Sequence, residues 1–81
     1  MPVVFRQGGF RFYFYSNEGS PREPVHVHVE KDGGEAKFWL LDGGVAVAES
    51  TGLGRRELVE ALRIAEERRS EIEEAWHDYF G

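Results

Sequence analysis

The sequence predicts an α+β fold, in which an antiparallel four- or five-stranded β-meander packs on one long or two short C-terminal helices. Three observations predict this fold. Apolar and polar residues alternate along short segments before residue 49, as they do in strands with one buried face. Glycine-containing pairs of the kind that close tight hairpins separate those segments. After Gly54, apolar residues recur every three or four positions, which is the spacing of an amphipathic helix.

The first two predicted strands are rich in aromatic residues. One begins at Val3, and the Gly8-Gly9 pair that follows it is a hairpin signal. The second covers Phe10–Tyr15, where successive side chains point to opposite faces. We expect one of those faces to be core, and it carries Phe10, Phe12 and Phe14. The other face is amphipathic and carries Arg11, Tyr13 and Tyr15.

The next strand carries a His-x-His pair. His26, His28 and Glu30 alternate with Val25, Val27 and Val29, so the ionisable side chains share the face opposite the valines. A turn at Asp32-Gly33-Gly34 leads into a strand over residues 35–41. That strand sends Ala36, Phe38 and Leu40 to one face and Lys37, Trp39 and Leu41 to the other. Asp42-Gly43-Gly44 then precedes a short strand, Val45–Ala48, and residues 49–54 form a hinge.

Residues 55–80 are predicted to be helical. Gly54 is an acceptable N-cap, with Glu57 three residues later to bond its amide. The chain allows either one helix of about 25 residues or two helices with a break near Ser70. The apolar stripe consists of Leu58, Leu62, Ala65, Ile72, Trp76 and Tyr79 or Phe80, with Arg69 as its polar member. The opposite, solvated face holds Glu60, Glu67, Arg68, Glu71 and Glu74.

Length and composition limit the classes of protein. The 81 residues suffice for one domain, residues 1–81, with its sheet at 3–48 and its helical part at 55–80. The chain has no cysteine, which excludes disulfides and thiolate metal sites. No apolar stretch approaches the roughly 20 residues that cross a membrane, so we expect a soluble, cytoplasmic protein without a membrane partner. The net charge of −5 argues against a general nucleic-acid binder and leaves RNA open as a specific substrate.

If side chains alternate between the two faces in the same way along every strand, the ionisable and aromatic residues lie together on one face of the sheet. Opposite the helices we expect Arg11, Tyr13, Tyr15, His26, His28, Glu30, Lys37 and Trp39. An exposed face this rich in aromatic and ionisable groups indicates a binding surface or an oligomer interface, for example that of a homodimer.

Three blocks of sequence resemble the bacterial domain-of-unknown-function family 4160. They are Ser16-Asn17-Glu18, residues 23–29 and Gly34–Phe38. Members of that family carry a Pro-Pro-His-x-His-Val strand; Pro24 and both histidines match it, and Val25 stands where the second proline is common. Trp76 resembles the late tryptophan of the family, so the resemblance covers roughly residues 2–80. It implies an intracellular prokaryotic protein encoded beside a member of the family numbered 2442, in a proposed toxin–antitoxin pair. It implies no reaction.

Three interpretations of His26 and His28 follow from the residues alone. Histidines on a sheet face commonly make cross-strand hydrogen bonds. Because imidazole titrates near neutral pH, the pair could also act as general acid and base or bind an anion. A transition-metal site would need a third ligand, for which Glu30 or Glu18 is available. We expect neither a resident metal nor another cofactor.

The other residues of this face could likewise have either a ligand-binding role or an ordinary structural role. Arg11 and Lys37 could hold a phosphate, or pair with Glu30 or Glu35 across the strands. The aromatic residues Tyr13, Tyr15 and Trp39 could stack on bases, or pack against a partner protein. Trp76 is predicted to be core, and His77 to be exposed without a role.

The resemblance and this face together favour the toxin-side component of a type II toxin–antitoxin pair. If it is an enzyme, we expect metal-independent RNA cleavage. One histidine of His26 and His28 would take the 2′-hydroxyl proton and the other protonate the leaving oxygen, with Glu30 beside them. Arg11 or Lys37 would stabilise the phosphorane, and the aromatic residues would bind substrate. The alternative is a non-catalytic module, or the antitoxin side, that binds its partner through this face. A metal-binding domain is third.

Overall fold

The computed structural model describes residues 2–16 and 23–81 and contains a five-stranded antiparallel sheet followed by two helices. The strands pair in chain order, β1-β2-β3-β4-β5, which confirms the predicted meander and gives it five strands. The elements are β1 (Val3–Gln7), β2 (Phe10–Tyr13), β3 (His26–Lys31), β4 (Gly34–Leu41), β5 (Gly44–Thr51), α1 (Arg55–Glu67) and α2 (Arg69–Phe80).

Two of the predicted turns use the left-handed backbone conformation. Gly8 and Gly9 have φ angles of 61° and 83°, and Asp32 and Gly33 have 49° and 85°. Two successive positive φ angles give the turn a twist that matches the twist of the strands. Gly34, predicted as part of the second turn, instead opens β4. A Cβ atom there would lie 2.7 Å from the backbone of Gly52, so this position requires glycine because the start of β4 lies close to the residue that follows β5.

Strand β5 is longer than the sequence predicted. It runs from Gly44 to Thr51, whereas the prediction ended it at Ala48 and assigned residues 49–51 to a hinge. Glu49 pairs with Lys37 and Thr51 with Glu35, after a bulge in the register between Lys37 and Phe38. Backbone hydrogen bonds hold this end of the strand, so it needs no apolar side chains. Its sequence therefore lacks the apolar alternation from which a strand is predicted.

The core lies between one face of the sheet and the helices. Phe10, Phe12 and Phe14 are buried as predicted, and Phe12 stacks on Phe5 with 4.7 Å between ring centroids. Trp76 is also buried, as predicted, and meets Phe14 edge-on. The other buried apolar residues of the two layers are Val27, Val29, Ala36, Phe38, Leu40, Ala61, Ile64, Ala65 and Ile72.

The helical part is divided in two, the second of the predicted alternatives. The break falls at Arg68, whose φ and ψ of −109° and 24° are not helical, two residues before the predicted Ser70. Helix α1 begins as predicted, with the Gly54 amide donating to Glu57 Oε1 at 3.0 Å. Neither helix is long and apolar enough to cross a membrane, a finding that covers the described residues.

Arg68 is not the solvated residue that the sequence predicted. Its guanidinium carbon lies 3.6 Å from the centroid of the Phe5 ring, and Nη1 donates to Gln7 Oε1 at 2.9 Å. An arginine can cover an aromatic ring while it keeps its charge hydrated, so helical periodicity alone assigned it wrongly to solvent. The predicted stripe was also too narrow, because Ala61 and Ile64 are buried beside it.

Candidate binding site on the outer sheet face

The strand registers place the predicted site residues in rows across the face opposite the helices. In one row Arg11 pairs with Glu30, Glu30 with Glu35, and Glu35 with Thr51. In the next row Tyr13 pairs with His28, His28 with Lys37, and Lys37 with Glu49. A third row pairs His26 with Trp39. We call these three rows, together with Tyr15, the outer face.

Arg11 and Glu30 form an ion pair within this face. Arg11 Nε and Nη2 both donate to Glu30 Oε1, at 3.0 and 2.7 Å. The Arg11 guanidinium carbon also lies 4.4 Å from the centroid of the Tyr13 ring. Of the two partners that the sequence left open for Arg11, the structure selects Glu30 over Glu35. The pair neutralises both of these charges at this edge of the outer face.

Tyr13 is buried, although the sequence predicted an exposed position. Its side chain is 2% exposed and stacks on His28, with ring centroids 5.5 Å apart and planes 25° from parallel. This burial raises the pKa of the Tyr13 phenol well above its ordinary value, and the hydrogen bond with Tyr15 raises it further. The negative charges of Glu35 and Glu30 act in the same direction. Tyr13 is therefore a neutral phenol whose ring packs against that of His28.

His26 is fully buried, so the prediction of an exposed histidine is wrong at this position. Its Nδ1 lies 3.0 Å from the carbonyl oxygen of Pro24; a carbonyl can only accept, so Nδ1 carries the proton. The imidazole centroid is 4.9 Å from that of Trp76, a residue of the helical layer, and 5.3 Å from that of Trp39. His26 is covered because Trp76 reaches the end of the sheet where β3 begins.

His28 stands closer to solvent than His26. It is half-buried, and its ring lies 4.5 Å from Tyr15 and 5.5 Å from His26, measured between centroids. Tyr15 itself is 40% exposed. The two predicted histidines are therefore neighbours, but His28 is the one that lines a cavity.

That cavity opens on the outer face and has a volume of about 200 Å³. Side chains from four strands or their ends surround it, and most of them are polar. We call it the outer cavity; it is lined by Tyr13, Tyr15, His28, Glu35, Ala36, Lys37, Glu49, Ser50 and Thr51. It combines aromatic rings, an imidazole, hydroxyl groups, the ammonium group of Lys37 and two carboxylates, all of which can hydrogen-bond or pack against a polar ligand. Because the carboxylates outnumber the ammonium group, the cavity favours a cation over an anion.

Lys37 has partners on one side of the outer cavity. Its Nζ lies 4.0 Å from Glu23 Oε1 and 4.3 Å from the centroid of the Trp39 ring. Neither Glu23 nor Trp39 lines the cavity. The sequence left Glu30 and Glu35 open as partners of Lys37, whereas the structure pairs it with Glu23. Lys37 itself lines the cavity, while its ammonium group contacts a carboxylate and an aromatic ring that do not.

Sequence reasoning missed five members of the cavity: Glu35, Ala36, Glu49, Ser50 and Thr51. Glu35 has the same strand parity as Lys37 and Trp39, a signal that could have placed it on the outer face. Glu49 and Thr51 gave no such signal, because the predicted strand ended before them. Within residues 2–16 and 23–81, neither Glu35 nor Glu49 has a basic group within 4.0 Å.

The described part of the chain contains no group of three or more His, Asp or Glu side chains arranged to hold a metal ion. Of the two third ligands considered from the sequence, Glu30 is paired with Arg11. The other, Glu18, lies outside the described residues.

One comparison with known proteins gives a match. The sequence pattern of the family described as a domain of unknown function, DUF4160, matches residues 9–77. No curated protein and no solved structure matches the chain. The matched segment begins just before β2 and ends within α2, so it contains the His-x-His strand, the outer cavity and most of the helical layer. The chain belongs to the DUF4160 family.

Proposed function

We propose that the protein is one component of a two-protein toxin–antitoxin pair and that its outer face binds the partner protein. One observation carries the binding role: helices cover one face of the sheet, while the other presents aromatic and charged side chains around a cavity. The resemblance to the domain-of-unknown-function family 4160 supports the pairing, and it makes a member of the family numbered 2442 the partner to test.

The chemistry of the outer face suits protein recognition. Tyrosine, tryptophan and arginine are the residues that contribute most to binding energy at protein interfaces. Tyr15 is held edge-on against Tyr13, and Trp39 is held against His26. Because these rings are already packed, a partner that binds them loses little additional side-chain entropy.

Binding can be tested by calorimetry with a protein of the family numbered 2442. We expect Tyr15→Ala and Trp39→Ala each to weaken binding by tenfold or more, in the range of about 1.5–2 kcal/mol for an interface anchor. Tyr79→Ala is the matched control, because Tyr79 is 46% exposed, much like Tyr15 at 40%, but lies on α2. Equal affinities for all three variants and the wild type would overturn the proposal.

The second part of the proposal is that this chain is the toxin of the pair. A toxin is expected to arrest growth. Expression of this chain alone in bacteria should slow growth, and co-expression of the partner should restore it. Unchanged growth with this chain, together with arrest by the partner alone, would assign this chain to the antitoxin side. The measurement is growth rate after induction.

RNA-directed chemistry is a second candidate activity, favoured by the position of the His28 imidazole in the outer cavity beside two tyrosines. In that reaction His28 would take the 2′-hydroxyl proton as the oxygen attacks phosphorus, and the 5′ oxygen would leave with a proton from water. The burial of His26 and the pairing of Arg11 with Glu30 favour His28 as the base in this proposal. The catalytic roles of His26, His28 and Glu30 stay predictions.

Purified protein incubated with RNA at several pH values tests this activity. We expect His28→Ala to abolish any cleavage and His77→Ala, at an exposed position on α2, to leave it unchanged. Intact RNA after incubation with the wild-type protein would rule out the reaction. The carboxylates of Glu35 and Glu49 disfavour a phosphate in the cavity, which is why protein binding is the leading proposal.

A further inference from the structure

We infer that the outer cavity receives an arginine side chain of the partner, with its guanidinium group between the carboxylates of Glu35 and Glu49. This inference rests on the proposed function, because it assumes that the ligand of the outer face is a protein. It names the chemical group that the cavity recognises.

The first argument is charge. Glu35 and Glu49 both line the cavity, and among the described residues neither forms an ion pair. The basic side chains of the outer face already have acidic partners, since Arg11 pairs with Glu30 and Lys37 with Glu23. The chain as a whole carries a net charge of −5. Lys37 lies opposite Glu49 and also lines the cavity, but its ion pair is with Glu23. Among the described residues the two carboxylates thus have no ion-pair partner, and a cation from outside is their complement.

The second argument is spacing. Glu35 pairs with Thr51 across β4 and β5, and Lys37 pairs with Glu49. Glu35 and Glu49 are therefore diagonal neighbours on adjacent strands, whose Cα atoms in a regular ladder are roughly 7–8 Å apart. A guanidinium group has five N–H donors in a planar fork, so it can bond two carboxylates at this separation at once. An ammonium group is a point charge and matches the arrangement less well.

The third argument is the aromatic wall. Tyr15 and His28 line the same cavity and lie edge-on to one another with 4.5 Å between their centroids. Arginine stacks on such rings more readily than lysine does. The volume of about 200 Å³ is more than ten times the ~15 Å³ that a single water needs, so a planar group of four heavy atoms fits.

The test begins with the isolated protein and N-acetyl-arginine amide. Isotope-labelled protein is titrated at pH 8 and low salt, and amide shifts are followed by NMR. We expect saturable shifts at Glu35, Glu49 and Thr51, with a dissociation constant on the order of millimolar, as a single side chain allows. N-acetyl-citrulline amide, a neutral analogue of the same shape, should give none. Equal shifts with citrulline or with N-acetyl-lysine amide would overturn the guanidinium assignment.

The second part of the test removes the negative charges of Glu35 and Glu49. The double variant Glu35→Gln/Glu49→Gln should weaken binding of the arginine amide and of the partner by about tenfold. The control Glu66→Gln/Glu74→Gln removes the same charge from exposed positions on the helices and should leave both affinities unchanged. Undiminished binding of either ligand to Glu35→Gln/Glu49→Gln would overturn the inference.

The partner measurement also separates the two proposals. If Tyr15→Ala weakens partner binding but Glu35→Gln/Glu49→Gln does not, the arginine pocket is wrong and the outer face still binds the partner. If neither variant weakens it, both proposals fail.

Discussion

The two ends of the outer face differ in what lies above them. At the end where β3 begins, His26 is enclosed by Trp39 and by Trp76 of the helical layer. Two residues along the same strand, His28 lines an open cavity with Tyr15 and Glu35. Strand parity puts both histidines on one face, but the neighbouring elements decide which of them meets solvent. His26 and Trp76 at the buried end are thus expected to stabilise the fold, whereas the cavity end and the half-buried Trp39 beside it are expected to bind a ligand.

The largest expected effect is at the buried end. Trp76→Ala should destabilise the protein by about 3–5 kcal/mol, because it removes a large ring packed against Phe14 and His26. Tyr79→Ala, at an exposed position three residues later, should cost less than about 1 kcal/mol. Urea denaturation measures both free energies of unfolding. Similar values for the two variants would contradict the placement of Trp76 in the core.

The histidines themselves give the next effect. His26→Ala should cost about 2–3 kcal/mol, since it leaves a cavity and deprives the Pro24 carbonyl of its Nδ1 donor. His28→Ala should cost about 1 kcal/mol or less, because the half-buried ring makes fewer enclosed contacts. Thermal and urea unfolding of the two variants provide the comparison. A greater loss for His28→Ala would reverse the assignment of the two ends.

At the cavity end, the start of β4 lies close to the backbone of Gly52, just after β5, and a glycine variant can perturb this contact. Gly34→Ala would place a Cβ 2.7 Å from the backbone of Gly52 and should cost about 1–3 kcal/mol. It should also weaken partner binding, because Glu35 is the next residue. Gly43→Ala is the control, since its Cβ would meet nothing within 4 Å. If Gly34→Ala were as stable as Gly43→Ala, the close approach would be refuted.

The smallest effect is a pH dependence at Tyr13. Burial raises the pKa of Tyr13, so the folded protein holds this proton more tightly than the unfolded chain does. The resulting stability is complete below the ordinary tyrosine pKa of about 10 and is lost as the pH rises above it, by up to about 1.4 kcal/mol per pH unit. Tyr13→Phe should reduce this alkaline loss, and Tyr79→Phe should not. Urea denaturation at pH 9 and 11 distinguishes them, and an unchanged alkaline loss in Tyr13→Phe would contradict the account.

The sequence predicted the sheet better than the site. Alternation placed Phe12 inside and His28 outside, because the direction of a strand side chain is set by the backbone alone. The burial of His26 could not be predicted, because Trp76 is fifty residues away in the chain. Glu49 was missed for another reason: strand β5 continues by backbone pairing where its side chains are polar.

The central claim is that the partner binds the outer face at its cavity end. Chemical-shift mapping with the isotope-labelled protein and an unlabelled protein of the family numbered 2442, the proposed partner, tests it most directly. The account predicts that the largest shifts fall on Tyr15, His28, Lys37 and Thr51, with little change along the exposed side of α1. Perturbation confined to the helices, with the cavity residues unchanged, would contradict it.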